Sequence, residues 1–315
     1  MTIGELYRKY LQELKAFLPS GEADQITNMV FEHVVGLSRS DLIKNPDAAL
    51  DAFKKEERLH KLSLLLCKAP VQYVLGECNF YQLTFEVNQS VLIPRPETEE
   101  LVERAIHFCR QNNKTTVLDI GTGTGLLSLM VAQQLKSGLI TAIEIEEAAA
   151  KQARENFNNS PWGERISLIQ GDIKQQEDKE SFDVIISNPP FFEGDLPANS
   201  TAKNQAFHDK SLTLAELLNA SFKKLKATGC LYFILPAHRK NDLESTCDFI
   251  GFTITACCSV KSSDNKNISR IFIECKKKNE LNKTIIENTS LVIQGDSMGY
   301  SSEVHLLLKD YYLYL

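Results

Sequence analysis

The sequence predicts an α/β protein: a largely parallel, doubly wound sheet, preceded by a small helical bundle and a β-hairpin. Three observations carry this. From Arg95 onward, short apolar runs alternate with amphipathic stretches, the pattern of strands each followed by a covering helix. Before residue 70 the apolar residues recur at helical spacing. Between the two lies a segment of alternating apolar residues bounded by turn residues.

Leu6, Tyr10, Leu14 and Phe17 make the first helical stripe, and Ile26, Val30, His33 and Val34 a second. A third helix is expected over 47–68, capped by Asp47 and ended by Pro70. Residues 71–93 follow as a strand pair, with Leu83, Phe85 and Val87 alternating and Gly76, Asn88 and Gln89 as turn residues. Helices are then expected over 97–111, from the glycine loop to about 135, up to 158, and over 212–226 and 242–250. Strands are expected over 115–120, 139–143, 166–170, 182–187, 230–235, 252–260 and 269–276. A last strand or hairpin at 291–294 precedes a short terminal helix. The organisation that follows is a helical domain over 1–78, a β-hairpin linker over 79–96 and a sheet domain over 97–315.

The 315 residues suit one large or two ordinary domains, and a composition 43% hydrophobic and 24% charged supports a full core rather than disorder. There is no run of eighteen apolar residues, so no membrane span is expected. The first residues carry acids and no apolar stretch of the kind export requires, which makes the cytoplasm the expected compartment. The eight cysteines contain no C-x-x-C pair and the six histidines no H-x-x-x-H pair, so free thiols and no metal are expected. Net charge is −6, with 20 basic against 27 acidic residues in 1–190 and 15 against 14 in 191–315. That balance argues against a general nucleic-acid clamp but leaves room for a local basic patch.

Gly121, Thr122, Gly123, Thr124 and Gly125 stand between a predicted strand and a predicted helix. Glycines at such a turn let the backbone approach a ligand closely. Glu144 lies nineteen residues beyond Gly125, at the end of the second strand, where a carboxylate can accept both ribose hydroxyls of an adenosyl group. The G-x-G-x-G spacing with Asp119 before it favours S-adenosyl-L-methionine, whose ammonium Asp119 can help bind. Asp172 is a candidate acceptor for the adenine amino group, with Ile173 beside the ring; Asp172 is equally a helix cap.

The fourth strand runs into Asn188, Pro189, Pro190 and Phe191. Two prolines cannot continue a central strand, so they make a rigid exit at its carboxyl end. Amide and aromatic amino nitrogens are poor nucleophiles because their lone pair is delocalised. The Asn188 side-chain carbonyl and the Pro189 backbone carbonyl can each accept one hydrogen of such a group, orienting it for attack on a methyl donor. Phe191 offers a face for a planar acceptor. No strong base is needed, because the proton leaves after transfer.

Two resemblances follow from these motifs. Residues 1 to about 110, most specifically 70–103 with the I-P-R-P-E-T run at 93–98, resemble release-factor glutamine N5-methyltransferases, which implies that the helical domain over 1–78 is a substrate-docking domain. Past about Leu118, the runs LLSLMVAQQ, SNPPFFEG, AFHDKSLTLAELL and YFILPAHRK resemble adenine-N6-methyltransferases of tRNA1(Val). Both imply a class I, Rossmann-like S-adenosylmethionine-dependent methyltransferase fold. The first implies a peptide chain release factor as partner and the second a tRNA, so the chain reads as a composite. The Y-E-P and G-G-x-D-G-L runs of the glutamine-methylating family are missing, and the tRNA family lacks the helical front domain. Lys203, Lys210, Arg239, Lys240, Lys261, Lys266 and Arg270 are candidate phosphate contacts, or else a solvated face. A nicotinamide-dependent dehydrogenase would share the glycine loop but leaves Asn188 and its prolines unexplained. A binding module without turnover would bind the cofactor and transfer nothing.

Overall fold

The computed structural model describes residues 2–36, 39–46, 52–81, 83–89, 91, 93, 98–179, 181–189, 212–263, 265–279, 287–294, 301–302 and 304. The chain divides into two compact units: Met1–Cys78 with Glu86–Ile93, and Asn79–Phe85 with Pro94–Leu315.

In the first unit, Ile3–Lys15 (α1) starts at a capping box. The Thr2 N–H donates to Glu5 Oε2 at 2.7 Å, and the Glu5 N–H donates back to Thr2 Oγ1 at 3.2 Å. Ile3, Leu6, Tyr10 and Leu14 form its buried stripe, while Phe17 lies beyond the helix and is exposed. Ser20–Val35 (α2) ends at Gly36, whose φ of 66° makes the left-handed cap that favours glycine. Its buried face is Ala23, Thr27, Val30 and Phe31, about a quarter-turn away from the expected stripe, and His33 is exposed. Phe31 sets that face by packing edge-on against Tyr7 and Tyr10. Arg39–Lys44 (α3) and Ala52–Leu66 (α4) follow, the latter contributing Leu62 and Leu65 to the core. Asp47 lies outside the described residues.

Val71–Leu75 (α5) corrects the sequence reading, which placed a strand there. Pro70 opens this short helix and Gly76, at φ 84°, closes it by donating to the Gln72 carbonyl at 2.8 Å. Burial of Val74 against the bundle outweighs the β-preference of the two valines. The strand pair is therefore shorter: Glu77–Phe80 (β1) and Leu83–Glu86 (β2) form a two-stranded sheet.

The second unit continues with Thr98–Asn112 (α6), Thr116–Ile120 (β3), Leu126–Gln134 (α7), Leu139–Glu144 (β4), Glu147–Asn158 (α8), Ile166–Gln170 (β5) and Phe182–Ser187 (β6). Leu214–Lys224 (α9), Leu225–Pro236 (β7), Lys240–Ile250 (α10), Phe252–Ser263 (β8), Ile268–Lys277 (β9) and Glu287–Gln294 (β10) complete it. The eight-stranded sheet has the order β10-β8-β9-β7-β6-β3-β4-β5. From β7 to β5 the strands are parallel, β9 runs antiparallel to both β7 and β8, and β10 is parallel to β8. The sheet is thus doubly wound, with an antiparallel insertion on one flank. The expected terminal helix lies largely outside the described residues.

Strand alternation divides the core. Leu118, Ile120, Ile185, Leu231, Phe233 and Leu235 pack with α9 and α10 on one face. The alternate residues Val117, Asp119, Val184, Ile186 and Tyr232 are buried on the other, where Tyr232 meets Phe108 of α6 edge-on. All eight cysteines are free, and only Cys67 among them is exposed. Among the described residues no helix is long and apolar enough to cross a membrane, and no group of three or more His, Cys, Asp or Glu side chains could hold a metal ion.

At the amino end of the sheet Asp183 ties β6 to β3. Its Oδ2 accepts from the Thr115 and Thr116 N–H groups at 3.2 Å and from Thr116 Oγ1 at 2.8 Å. Lys226 and Lys114 approach its Oδ1 at 3.2 and 3.5 Å. Burial would push this carboxyl up, but the bonds from Thr116, Lys226 and Thr115 outweigh it and hold the pKa at about 2. Asp183→Ala should therefore cost about 3 kcal/mol in denaturant unfolding, because two strand N–H groups and two ammonium groups lose their acceptor. Because the folded pKa is depressed, the contribution is present above about pH 4 and fades as pH falls toward about 2. An alanine variant with unchanged unfolding at pH 7 would remove Asp183 from the stability account.

Candidate active site

β3 and β6 are neighbours, and Ile120 pairs with Ser187 in register. The Ser187 hydroxyl donates to the Ile120 carbonyl at 2.7 Å and pins the two strand ends together. Gly121 and Asn188 therefore leave adjacent strands at the same carboxyl edge. From there β3 leads through α7 to β4 on one side, whereas the strand that follows β6, β7, lies on the other. Loops that diverge in this way open a crevice at the switch point of an α/β sheet, where such folds bind ligands.

The glycine loop is held from three sides. The Gly121 and Thr122 N–H groups donate to the Ile143 carbonyl at 2.9 and 3.1 Å. The Gly123 N–H donates to Glu144 Oε2 at 2.9 Å. From α8, Asn156 Nδ2 donates to the Thr124 carbonyl at 2.9 Å. Gly125 is a glycine by necessity: a Cβ there would meet the Phe157 ring at 2.3 Å, and its φ is 84°. At Gly121 and Gly123 a Cβ would meet nothing within 4 Å, so the outer side of the loop faces open space among the described residues.

Asp119 is fully buried beneath this loop. Its Oδ2 accepts from Thr122 Oγ1 at 2.6 Å and from Ser128 Oγ at 2.7 Å, which fastens the loop to the first turn of α7. Its Oδ1 is buried and has no hydrogen-bond partner among the described residues. Burial pushes the carboxyl up to about 6, against the lowering effect of the Thr122 and Ser128 hydrogen bonds. A buried carboxylate with one oxygen unsatisfied fits a cationic ligand group.

Glu144 closes β4 and is 8% exposed. Oε2 takes the Gly123 bond and Oε1 accepts from the Glu146 N–H at 3.0 Å. Each oxygen keeps a further lone pair, so the carboxylate is oriented by backbone and still able to accept two ribose hydroxyls. Ile145 follows it at the same edge with 40% exposure, an apolar surface that the sequence reading passed over. Ser128 and Asn156 were missed too. Ser128 carried a signal, as the one polar residue in the run Leu126 to Val131, all of it buried.

Asp172 caps a 3-10 turn, Ile173–Gln175, by accepting from the Lys174 N–H at 2.9 Å. The capping role is therefore occupied, and its other oxygen lies 3.7 Å from Lys174 Nζ. Ile173 is 4% exposed and packs into the core with Ile120, Ile143 and Leu214. Asn188 is half-buried and Pro189 buried at the end of β6. Pro190 and Phe191 lie outside the described residues. The crevice thus brings together Asp119, the glycine loop, Glu144 and Asn188, with Asp172 at the end of the next strand, β5.

This arrangement of sheet, insertion and loops is that of the class I S-adenosylmethionine-dependent methyltransferases. A Listeria monocytogenes protein assigned to that class has a solved structure matching 98% of both chains with a TM-score of 0.52, at 13% identity, which shows the fold. The methyltransferase small domain matches residues 103–246. The chain is 37% identical over 203 residues to the tRNA1(Val) (adenine(37)-N6)-methyltransferase of Pseudoalteromonas translucida, covering 64% of this chain and 85% of that one. It is 34% identical over 197 residues to the Dyadobacter fermentans protein of the same name, covering 62% and 82%. It is also 32% identical over 251 residues to the release factor glutamine methyltransferase of Flavobacterium psychrophilum, covering 74% and 86%. The chain belongs to the methyltransferase small domain family of S-adenosylmethionine-dependent methyltransferases.

Proposed function

We propose that the chain is an N-methyltransferase whose acceptor is the N6 amino group of an adenine in tRNA. The observation that carries N-methylation is Asn188, which leaves β6 at the same edge as the glycine loop, one residue beyond the Ile120–Ser187 row. When bound, S-adenosylmethionine supplies an electrophilic sulfonium methyl. Asp119 and Glu144 would hold its ammonium and ribose ends, the loop from Gly121 to Gly125 would let it approach the backbone, and Asp172 and Ile173 are the candidates on the adenine side.

The Asn188 side-chain carbonyl and the Pro189 backbone carbonyl accept the two hydrogens of the target amino group. That orients the nitrogen and stabilises the positive charge it gains as the new bond forms. Phe191 supplies a stacking face for the planar acceptor. The resemblance to tRNA adenine-N6-methyltransferases spans the chain on both sides of Asn188, including the segments that follow it, and favours adenine.

A second reading, methylation of the release-factor glutamine, is favoured by the separate helical unit and by the 251-residue likeness to a release factor glutamine methyltransferase. Both acceptors present a planar carbon bearing NH2, so the same Asn-Pro pair suits either. The test is labelled S-adenosylmethionine offered with an unmodified valine tRNA transcript and, separately, with a bacterial release factor. Label in the tRNA is expected. Label in the release factor alone overturns the adenine reading in favour of the second.

A further inference from the structure

We propose that the β8–β9 hairpin is a phosphate-contacting arm that holds an RNA acceptor against the Asn188 edge. The proposal rests on the adenine reading above and adds the surface that would engage the nucleic acid.

Strand register sets the height of the arm. Ser187, the last residue of β6, lies in one row with Phe233 of β7, Ile273 of β9 and Cys257 of β8. Beyond that row β9 extends to Ile268 and β8 to Ser263. Five further residues at about 3.3 Å each lift the arm roughly 17 Å past the carboxyl edge. Two strand spacings, about 10 Å, separate β9 from β6. On its outer side β10 accompanies β8 as far as Ser263, so the arm is backed by a third strand.

The arm's cations have no ion-pair partner among the described residues. Lys261, Lys266 and Arg270 stand on it, and Lys240 begins α10 just after the exit of β7. None of the four is in an ion pair among the described residues, whereas Lys114, Lys174, Lys223, Lys224 and Lys226 are all paired. Between Cys257 and Ile273 the sequence has a single acid, Asp264. In a chain of net charge −6 this is a local reversal of sign, placed beside the edge that carries Asn188. Arg239 does not belong to the set, since it is buried and ion-paired with Asp242 at 3.2 Å. Lys203 and Lys210 lie outside the described residues.

The chemistry favours a polyanion over a protein. The arm offers one large exposed apolar residue, Ile268, and a protein interface requires a buried apolar or aromatic centre. Cations spaced along a strand-paired hairpin suit the sugar-phosphate backbone on either side of an extruded base.

The test uses the full chain with Lys261→Glu and Lys266→Glu combined, a Lys→Gln pair as the milder variant, and a Lys→Arg pair for rescue. Binding of a valine tRNA transcript is followed by fluorescence anisotropy over a salt series. Methyl transfer to the transcript and to a release factor is measured in parallel. Expected are at least a tenfold loss of RNA affinity on charge reversal, and a salt slope lower by about one for each lysine lost. The RNA KM should rise with kcat and cofactor affinity unchanged, and the arginine pair should behave as the wild type. An unchanged RNA affinity and salt slope overturns the arm, as does a selective loss of release-factor methylation. Arm-dependent RNA binding without methyl transfer to RNA overturns the adenine reading and leaves the arm standing.

Discussion

Asn188→Ala abolishes methyl transfer, with a loss of at least about 10² to 10³-fold in kcat, while the cofactor dissociation constant stays within about twofold. The reason is differential binding. An amide or aromatic amino group must give up its delocalised lone pair to react, and two carbonyl acceptors stabilise the nitrogen most as it becomes cationic. On the proposed mechanism the Asn188 side chain is one of those acceptors, and alanine leaves only the Pro189 carbonyl. Asn188 is half-buried and follows a strand end already pinned by Ser187, so the substitution spares the fold. Single-turnover transfer with saturating cofactor is the measurement. A variant that transfers at the wild-type rate would end the mechanism.

Asp119→Asn separates stability from cofactor binding. The wild-type carboxyl is pushed up to about 6 by burial, and its Oδ1 has no partner among the described residues. A carboxyl whose folded pKa lies above its unfolded value contributes stability below about pH 4 and loses it as pH rises through about 6. The difference across that window is about 3 kcal/mol. At pH 8 the cofactor-free protein therefore carries a buried charge at a cost, and the asparagine variant, which lacks it, should melt no lower than the wild type. The same variant should bind S-adenosylmethionine at least tenfold more weakly, because the ammonium loses its counter-charge. In the wild type, cofactor affinity should fall by about tenfold per pH unit below about 6, as Asp119 takes up a proton. Melting curves at pH 5 and 8, with and without cofactor, test both parts. Unchanged affinity in the variant would remove Asp119 from the binding site.

The sheet unit was legible because its pattern is redundant. The strands over 166–170 and 182–187 have the expected bounds, and β3 and β4 differ by a single residue. β3, β4 and β6 are short, largely buried apolar runs with no competing period, and the half-exposed edge strand β5 is bounded by Arg165 and Gly171. Elements with one weak face were less legible. Val71–Leu75 reads as a strand from its valines and is a helix because Val74 is buried in the bundle. On α2 two stripes are available, and the packing of Phe31 on Tyr7 and Tyr10 chose the one that leaves His33 exposed. The long β7, which starts at Leu225 directly after α9, was also shortened in the reading. Its register against β6 shifts between Phe182 and Val184, and the local signal for that irregularity is Gly229, where a Cβ would meet the Asp183 carbonyl at 2.8 Å.

The same division holds for the site. Spacing alone placed the glycine loop, Glu144 as the candidate ribose carboxylate and the Asn188 exit as the candidate acceptor site, because each is a local device with a fixed place on a strand end. Tertiary structure decided what those residues experience. Asp119 is a half-satisfied buried carboxylate only because Thr122 and Ser128, from two different turns, converge on one of its oxygens. Glu144 is aimed by the Gly123 and Glu146 N–H groups, and the basic hairpin stands beside Asn188 because β9 inserts between β7 and β8. Residue types and spacings are written locally in the chain, whereas burial, hydrogen-bond partners and strand neighbours belong to residues far apart in sequence and exist only once the sheet has closed.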